Sequence, residues 1–404
     1  MKYIVVLGDG MADYPVAELG NRTPLEAAKK PNIDALARRG CCGMVKTIPE
    51  GMPPGSDTAN LSVMGYDPAV YYTGRSPLEA VSIGIDMALT DVSYRCNVVS
   101  LLGDGDYEDC TMWDYSCDEI PTEESDVLIR FLNDEFEREN LKLYPGISYR
   151  HCLILQNGET GCQTTPPHDI SDKGVRGHLP TGQNGELLRE MMLRSRELLR
   201  DHPINKARIA RGVKPASSIW FWGEGRKPAL LSYKEKYGVK GAVVSAVDLI
   251  KGIGICAELD SIDVKGATGN IHTNFRGKAD AALDSLKSGG DFVYIHVEAP
   301  DECGHRNEIE NKVLAIEKID EHIVGPIVAA MEASGEPYRI LVLPDHPTPL
   351  ALKTHVPDPV PFVLFDSRKD AEDSAFSYTE KMGESTGVFV EQGHTLMDVF
   401  LERR

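Results

Sequence analysis

Short apolar runs, several of them rich in β-branched residues, recur along the chain and constrain its fold more than any other feature. The first, Tyr3–Leu7, is continuous and ends at Gly8-Asp9-Gly10. Continuous runs of this kind are typical of parallel strands buried on both faces. Comparable runs, separated by stretches of helical length, follow in the second half at Ile219–Trp222, Ala242–Ser245, Phe292–Val297, Ile340–Leu343 and Phe362–Phe365. This alternation predicts an α/β fold with a doubly wound, mostly parallel sheet.

The pattern changes from about Asp91, where the strand–helix alternation stops. Ten acidic residues lie between Asp104 and Asp126, in a stretch broken by glycine and proline. Two amphipathic helices are predicted in the region that follows Asp91. One is capped by Thr122, and the other spans Gly185–Arg200. We therefore expect a catalytic α/β domain of residues 1–92 and 216–404, interrupted by a smaller α+β domain of residues 93–215.

Composition excludes several classes of protein. The chain of 404 residues has a formal net charge of −19, whereas nucleic-acid binding requires a basic surface. Its nine scattered cysteines favour reduced thiols, and no apolar run approaches membrane-spanning length. We expect a cytoplasmic protein that acts on a small molecule and has neither nucleic-acid nor membrane partners. The sequence leaves the oligomeric state open.

Acidic residues and histidines follow three of the predicted strands. Because ligands of open α/β sheets bind at the carboxyl ends of the strands, these side chains are candidates for one site. Within the set, Asp301 and His305 are four residues apart, so one helical turn would place both on one face. The set comprises Asp9 after the first strand, Asp301 and His305 after Phe292–Val297, Asp345 and His346 after Ile340–Leu343, and His355 nine residues later.

Each of these residues also has an ordinary explanation, since an aspartate after a strand commonly caps a helix and most single histidines are not metal ligands. Three carboxylates with three histidines, however, form a mixed set that suits Zn²⁺ or Mn²⁺ better than Ca²⁺. Together with one serine, the set is too large for one tetrahedral ion. Two metal ions roughly 3.5–4 Å apart are a recurring device for phosphoryl transfer. The set therefore predicts a two-metal site.

Ser56 is the candidate nucleophile. It follows Pro53-Pro54-Gly55 and precedes an apolar, helix-like run, so its hydroxyl is expected at a turn-to-helix junction. Free backbone N–H groups at such a junction suit an anionic substrate. The alternative is an ordinary N-cap, which is common for serine after Pro-Gly.

The segments that carry these residues are LGDGMAD, GSDTANLSVMGYDP, HVEAPDECGH and PDHPTP. They resemble segments of the cofactor-independent phosphoglycerate mutases of the alkaline phosphatase superfamily, in particular the shorter archaeal-type branch. The resemblance covers nearly the whole chain. It implies one metal ion on Asp301, His305 and His355, and a second on Asp9, Asp345 and His346, with Ser56 bound to the second ion as the nucleophile.

The resemblance also implies an activity. The expected reaction is the 2,3-bisphosphoglycerate-independent interconversion of 3-phosphoglycerate and 2-phosphoglycerate in glycolysis and gluconeogenesis, through a phosphoserine intermediate. The expected cofactors are two divalent ions, Mn²⁺ foremost, with Zn²⁺, Co²⁺ or Mg²⁺ as alternatives. We expect the inserted domain to cap the substrate and exclude water.

The carboxylate of the glycerate requires cationic or hydrogen-bonding partners, and arginine is the preferred donor. Structural ion pairing is the alternative explanation for such arginines. The candidates for substrate binding are Arg95, Arg150, His168 and Asp169 in the insertion, with Arg75 and Lys278 outside it.

A homoserine kinase-type phosphotransferase on the same two-metal scaffold is the alternative function. The segments IWFWGEG and GVKG, which begin at Ile219 and Gly238, resemble a subgroup of the family for which that activity has been proposed. A phosphatase or phosphodiesterase, and a catalytically inactive metal-binding protein, are further alternatives. No P-loop or protein-kinase signature is present, which argues against a conventional kinase.

Overall fold

The structure is a computed structural model that describes residues 1–136, 138–369 and 375–403. It divides into two compact units. The first unit consists of Met1–Tyr72 and Ala229–Arg404, and the second of Thr73–Pro228. Each unit has its own sheet and its own hydrophobic core. Within the described residues, we find no helix with the length and apolarity needed to cross a lipid bilayer.

The regular elements are numbered in chain order. The strands are β1 (Lys2–Gly8), β2 (Cys41–Val45), β3 (Val92–Leu102), β4 (Thr111–Asp114), β5 (Leu141–Tyr144), β6 (Arg150–Leu155), β7 (Cys162–Gln163), β8 (Thr181–Gly182), β9 (Ser218–Arg226), β10 (Gly241–Val244), β11 (Asp260–Ile262), β12 (Phe292–Val297), β13 (Tyr338–Leu343), β14 (Val360–Asp366) and β15 (Phe389–Val390). The helices are α1 (Pro24–Ala27), α2 (Pro31–Arg39), α3 (Ser56–Val63), α4 (Pro68–Tyr71), α5 (Ser76–Ser82), α6 (Thr122–Glu135), α7 (Gly185–Arg200), α8 (Pro203–Ala210), α9 (Tyr233–Tyr237), α10 (Asp248–Cys256), α11 (Phe275–Lys287), α12 (Ala299–Arg306), α13 (Ile309–Ile319), α14 (Gly325–Ser334), α15 (Glu380–Ser385) and α16 (Thr395–Phe400). Four short 3₁₀ segments and a π-helical turn at Asp320–Val324 complete the described elements.

The first unit is built on an eight-stranded sheet in the order β11-β10-β12-β1-β13-β14-β2-β15. Strand β14 pairs antiparallel with both of its neighbours, and all other neighbouring strands pair parallel. The central strands β1, β12 and β13 are buried almost throughout, as their continuous apolar sequences require. The predicted α/β class with a mostly parallel sheet is confirmed.

The second unit is an antiparallel α+β structure. Strand β3 is its longest strand and pairs antiparallel with β4, β6 and β9, while β5 pairs with β6. Helices α6 and α7 bury one apolar face each, and the buried residues of both faces belong to the core of this unit. Helix α7 spans the range predicted from its amphipathic pattern. Thr122 does not cap α6, because its hydroxyl instead accepts the Ser148 N–H at 3.0 Å.

The prediction that Ile219–Trp222 belongs to the α/β domain is wrong. This run lies in β9, which pairs antiparallel with β3 in the second unit. Helix α5 packs against both strands and belongs to the same unit. The second unit therefore extends beyond the predicted range of 93–215 on both sides. An apolar run predicts a strand from local sequence, but its pairing partner depends on residues more than 100 positions away.

A buried carboxylate holds the start of α2 in the first unit. The N-cap residue of α2, Lys30, makes no side-chain capping hydrogen bond. Asp320, which lies in the π-helical turn and is 1% exposed, caps the helix instead. Its carboxylate accepts the Ile33 backbone N–H at 2.7 Å and the Asn32 side-chain amide at 2.8 Å. Two segments distant in sequence are thereby joined at a helix N-terminus.

Replacing this carboxylate should destabilise the first unit. We expect Asp320→Ala to lower the free energy of unfolding by about 2 kcal/mol, because it leaves buried N–H donors without an acceptor. Urea denaturation measures the change, and Glu321→Ala, at an exposed position in the same turn, is the control. An effect of Asp320→Ala no larger than that of the control would contradict this role.

Candidate functional site

The carboxyl ends of three adjacent strands lie at the same level of the first sheet. In the register of β1 with its two neighbours, Leu7 pairs with both His296 and Leu343. Asp9 therefore follows β1 at the level where Asp345 follows β13. Helix α12 begins directly after β12 and carries Asp301 in its first turn. The sheet thus brings together three aspartates that are far apart in the sequence.

Asp9, Asp345 and His346 form the first donor cluster. One potential ligand atom from each lies within 4.8 Å of the others. The Nε2 atom of His346 is 3.6 Å from Asp9 Oδ1 and 3.4 Å from Asp345 Oδ2. The Ser56 hydroxyl oxygen lies 3.2 Å from the same nitrogen. The structure places these four residues together, in the combination that the family resemblance implied for one metal.

Asp301, His305 and His355 form the second donor cluster. The two carboxylate oxygens of Asp301 lie 3.2 Å from His305 Nε2 and 3.3 Å from His355 Nε2, and the two imidazole nitrogens are 3.0 Å apart. Asp301 and His355 also lie within 4.8 Å of a ligand atom of His346. His346 therefore lies next to both clusters, and all seven predicted metal-site residues occupy one continuous site.

Two of the histidines are oriented so that Nε2 faces the carboxylates. The Nδ1 atom of His305 lies 3.0 Å from the Lys353 carbonyl oxygen, which can only accept a hydrogen bond. The Nδ1 atom of His346 lies 3.3 Å from the Thr348 hydroxyl, and that hydroxyl donates to Asp301 Oδ1. When the hydrogen of each neutral ring is on Nδ1, the lone pair on Nε2 is available to bind a metal ion. This is the usual arrangement of metal-binding histidines.

The charges in the site favour a cation. Burial raises the pKa of Asp9 well above its ordinary value, and repulsion from Asp345 and Asp301 adds to the shift. Among the described residues, Asp9 Oδ1 is buried and has no hydrogen-bond partner. An unpaired buried carboxylate oxygen is costly, and a bound cation removes that cost. The mixed nitrogen and oxygen donors fit divalent metal ions.

In the second cluster, protons compete with such a cation. The hydrogen bond with Asp301 raises the pKa of His305 to about 9. Although burial opposes ionisation, hydrogen bonds with His305 and His355 hold the pKa of Asp301 well below its ordinary value. Because only a neutral imidazole binds a metal, metal binding at this cluster should release protons.

Ser56 is not an N-cap. Gly55 occupies the cap position of α3 without a side-chain cap, and Ser56 is the first helical residue. The backbone at Ser56 is fixed by Asn60, one turn later, whose amide donates to the Ser56 carbonyl at 2.8 Å and to Asp345 Oδ2 at 2.7 Å. The Tyr294 hydroxyl donates to Asn60 Oδ1 at 2.6 Å and so fixes which way the amide points.

The predicted substrate-binding arginines lie in the second unit, and one of them stacks on Trp222. The Arg95 guanidinium lies 3.9 Å from the centre of the Trp222 ring, and burial lowers the pKa of Arg95, with nearby Arg75 and Arg150 adding to the shift. Glu79 accepts from both Arg95, at 2.9 Å, and Arg75, at 2.8 Å. Ion pairing, the alternative explanation for these arginines, is therefore present for two of the three.

The remaining predicted binders are distributed differently. The His168 ring packs edge-on against Trp222 at 5.3 Å and lies beside Asp169, with 3.6 Å between His168 Nε2 and Asp169 Oδ1. Lys278 lies in the first unit on α11 and is only 1% exposed, and its ammonium donates to the His296 carbonyl at 2.7 Å. The prediction that Lys278 contacts the substrate is therefore corrected, because its buried ammonium binds the main chain of β12 instead.

Sequence reasoning missed the buried polar residues that hold the donors in place. Asn60 and Thr348 contact predicted ligands, and His296 lies with its Nε2 atom 2.8 Å from Asp9 Oδ2. Burial, and then the nearby Lys278, lower the pKa of His296 well below its ordinary value. The only sequence signal for His296 is a histidine in an otherwise apolar strand.

Comparison with known proteins gives a consistent result. A family model described as 2,3-bisphosphoglycerate-independent phosphoglycerate mutase matches residues 37–205. A probable 2,3-bisphosphoglycerate-independent phosphoglycerate mutase from Geobacter sulfurreducens is 50% identical over 403 residues, which cover 100% of both chains. The enzyme of that name from Methanosarcina mazei is 49% identical over 384 residues, or 94% of each chain.

Solved structures agree on the fold. A protein from Pyrococcus horikoshii is 30% identical and superposes with a TM-score of 0.82, covering 100% of this chain and 98% of that chain. The cofactor-independent phosphoglycerate mutase from Thermoplasma acidophilum is 26% identical with a TM-score of 0.67, covering 100% and 99% of the two chains.

The donor clusters predict a specific stoichiometry of metal binding. We expect the purified chain to bind two equivalents of Mn²⁺ per chain and His305→Ala to bind one fewer, because the second cluster loses a donor. The fold should be retained, since these side chains follow strands and are not part of the hydrophobic core. Calorimetric titration and circular dichroism test both statements.

A matched control is His322→Ala, because the His322 side chain is 42% exposed and lies outside both clusters. It should bind as much Mn²⁺ as the unmodified chain. Unchanged stoichiometry in His305→Ala would show that the second cluster does not hold a metal ion.

Proposed function

The chain belongs to the 2,3-bisphosphoglycerate-independent phosphoglycerate mutases, the isomerases of 3-phosphoglycerate and 2-phosphoglycerate, and we propose that it works through a phosphoserine intermediate at Ser56 with two divalent metal ions. One observation carries this proposal. The Ser56 hydroxyl lies 3.2 Å from Nε2 of His346, the residue whose ligand atoms neighbour both donor clusters. A hydroxyl at that position can be reached both by metal ions in the clusters and by a phosphoryl group.

The proposed ligands are Asp9, Asp345, His346 and Ser56 for one ion and Asp301, His305 and His355 for the other. Mn²⁺ suits this mixed set, and Zn²⁺, Co²⁺ and Mg²⁺ are alternatives. When bound, two such ions supply Lewis-acid chemistry, since they make a neighbouring hydroxyl more acidic and neutralise charge on a phosphoryl group. The orphaned Asp9 Oδ1 supports a cation in the first cluster.

The transfer then consists of two displacements at phosphorus. In the first, Ser56 Oγ loses its proton and forms a bond to phosphorus, and the bond from phosphorus to the glycerate oxygen breaks. That oxygen takes up a proton. In the second, the other glycerate hydroxyl loses its proton and attacks the phosphoserine, which returns Ser56 to its original state. The hydrogen bond from Asn60 to the Ser56 carbonyl holds the nucleophile through both displacements.

The second unit supplies the proposed contacts to the substrate carboxylate. Arg95 and Arg150 are the proposed donors, with Arg75, His168 and Asp169 around them. The Arg95 guanidinium stacks on Trp222, and Arg75 and Arg150 are near enough to contribute to the lowering of its pKa. Such arginines present positive charge and planar hydrogen-bond donors together, which supports the proposal. A cytoplasmic location and a place in glycolysis are part of the proposal.

The comparisons give no support to the homoserine kinase alternative, since the relatives reported above are named mutases. The direct test supplies 3-phosphoglycerate to the purified, Mn²⁺-loaded chain without nucleotide and without 2,3-bisphosphoglycerate. We expect 2-phosphoglycerate to form until equilibrium is reached. The amount of inorganic phosphate released should be small compared with the amount of 2-phosphoglycerate formed. Formation of homoserine phosphate from a nucleotide, without isomerisation, would reverse the assignment.

Ser56 should be essential for transfer but not for metal binding. We expect Ser56→Ala to lower kcat by about 1000-fold or more, because no other group replaces the nucleophile. Both Mn²⁺ equivalents should remain, since three protein ligands are left on each ion. Ser62→Ala, on the same helix, is the control. If labelled phosphate from the substrate is still recovered on the Ser56→Ala variant, Ser56 is not the phosphorylated residue.

Arg150 should act on substrate binding. We expect Arg150→Ala to raise KM for 3-phosphoglycerate by about tenfold or more, because a charge-assisted hydrogen bond to the carboxylate is lost. The melting temperature and the Mn²⁺ stoichiometry should not change. Arg130→Ala, an exposed arginine of the same unit paired with Asp126, is the control. An unchanged KM together with a lower melting temperature would make Arg150 a structural residue.

A further inference from the structure

A chain of hydrogen bonds between buried groups ends at Asp9. His296, on β12, is 0% exposed, and its Nε2 atom lies 2.8 Å from Asp9 Oδ2. Its Nδ1 atom lies 3.1 Å from the hydroxyl of Ser245, which is 2% exposed. The Ser245 hydroxyl oxygen in turn accepts the Val247 N–H at 3.0 Å. The chain therefore runs from the backbone after β10, through two buried side chains, to a predicted metal ligand.

The direction of each hydrogen bond follows from the groups themselves. When Asp9 is ionised, as metal binding requires, its oxygens only accept, so the hydrogen between His296 and Asp9 is then on Nε2. Burial, and then the nearby Lys278, lower the pKa of His296 well below its ordinary value, which favours the neutral ring. Nδ1 then accepts, and the Ser245 hydroxyl donates to it. One tautomer of His296 is consistent with both neighbours.

The main chain of His296 is held as well. The Lys278 ammonium, which is buried on α11, donates to the His296 carbonyl at 2.7 Å. Strand β12 pairs on either side with β1 and β10, which carry Asp9 and Ser245 at their carboxyl ends. The imidazole is therefore fixed at its backbone, at Nδ1 and at Nε2.

The two oxygens of Asp9 are in different situations as a result. Oδ2 is taken by His296, whereas Oδ1 has no hydrogen-bond partner among the described residues and lies 3.6 Å from His346 Nε2 in the first donor cluster. A partial rotation of the carboxylate would break the hydrogen bond to His296, whereas a half-turn only exchanges two equivalent oxygens. The carboxylate is thus held with one oxygen available to a ligand.

We propose that His296, oriented by Ser245, is a positioning residue that holds Asp9 so that Oδ1 is presented to the divalent ion of the first cluster. The inference rests on the proposed function, in that it requires a metal ion at Asp9. Without the Nε2 donor, the carboxylate is free to turn, and the ion loses a preformed ligand. Hydrogen-bond partners of metal ligands typically change metal affinity by 10-fold to 100-fold.

Calorimetric titration of the metal-free chain with Mn²⁺ tests the proposal. We expect Ser245→Ala to raise the Kd of one of the two Mn²⁺ ions about threefold to tenfold, because His296 loses the group that selects its tautomer. His296→Leu should raise the same Kd about 10-fold to 100-fold. His296→Gln, which retains an N–H donor of similar reach, should recover part of the affinity.

Ser232→Ala is the matched control. Ser232 is 3% exposed in the same unit, and its hydroxyl also accepts a backbone N–H, from Glu235. Within the part of the chain that the structure describes, its hydroxyl has no hydrogen bond with a histidine. It should leave both Kd values unchanged. The melting temperature of each metal-free variant separates loss of affinity from loss of fold, and Ser245→Ala provides the test if His296→Leu does not fold.

The outcomes distinguish this inference from the proposed function. If the unmodified chain binds no Mn²⁺, the proposed metal site is wrong and the inference fails with it. If the unmodified chain binds two equivalents, and Ser245→Ala and His296→Leu bind both with unchanged Kd, the metal site stands and His296 has no positioning role. Weaker binding in Ser232→Ala to the same degree would also overturn the inference.

Discussion

Mutual repulsion among three buried carboxylates is the constraint on which the site depends. Asp9, Asp301 and Asp345 follow adjacent strands, and each is at most 5% exposed. Burial, and then repulsion from Asp345 and Asp301, oppose the ionisation of Asp9 and raise its pKa. The protein compensates with donors that are themselves fixed: backbone N–H groups of Gly10 and His346 on Asp345, and the hydroxyl of Thr348 on Asp301. Divalent ions would supply the remaining positive charge.

The parallel sheet makes this concentration of charge possible. Strands β1, β12 and β13 pair in one register and direction, so residues beyond their carboxyl ends meet without any local sequence signal that links them. Buried polar groups behind the ligands then set the orientation of each one. Asn60, held by Tyr294, connects Ser56, the proposed nucleophile, to Asp345. The placement of Ser56 and the orientation of Asp345 therefore depend on one hydrogen-bonded network.

The sequence predicted those parts of the structure that depend on local pattern. Asp9, Asp301 and Asp345 could be identified because it is unusual for several apolar strands each to be followed by an acidic residue. Helix α7 could be identified because its apolar periodicity continues over many residues. The pairing of β9 with β3 could not be predicted, because its apolar run equally fits either sheet. His296 and Asn60 were missed because one buried polar residue within an apolar segment carries no spacing pattern. Lys278 was assigned to the substrate because a lysine's depth in the fold is not visible in sequence.

The central claim is that phosphate passes through Ser56 within one bound glycerate. The stereochemical course at phosphorus tests it most directly, with 3-phosphoglycerate that carries a chiral phosphoryl group labelled with three oxygen isotopes. Two successive in-line displacements each invert the configuration, so our account predicts overall retention in the 2-phosphoglycerate formed. Inversion would mean a single direct displacement between the two glycerate oxygens, and it would contradict the phosphoserine intermediate.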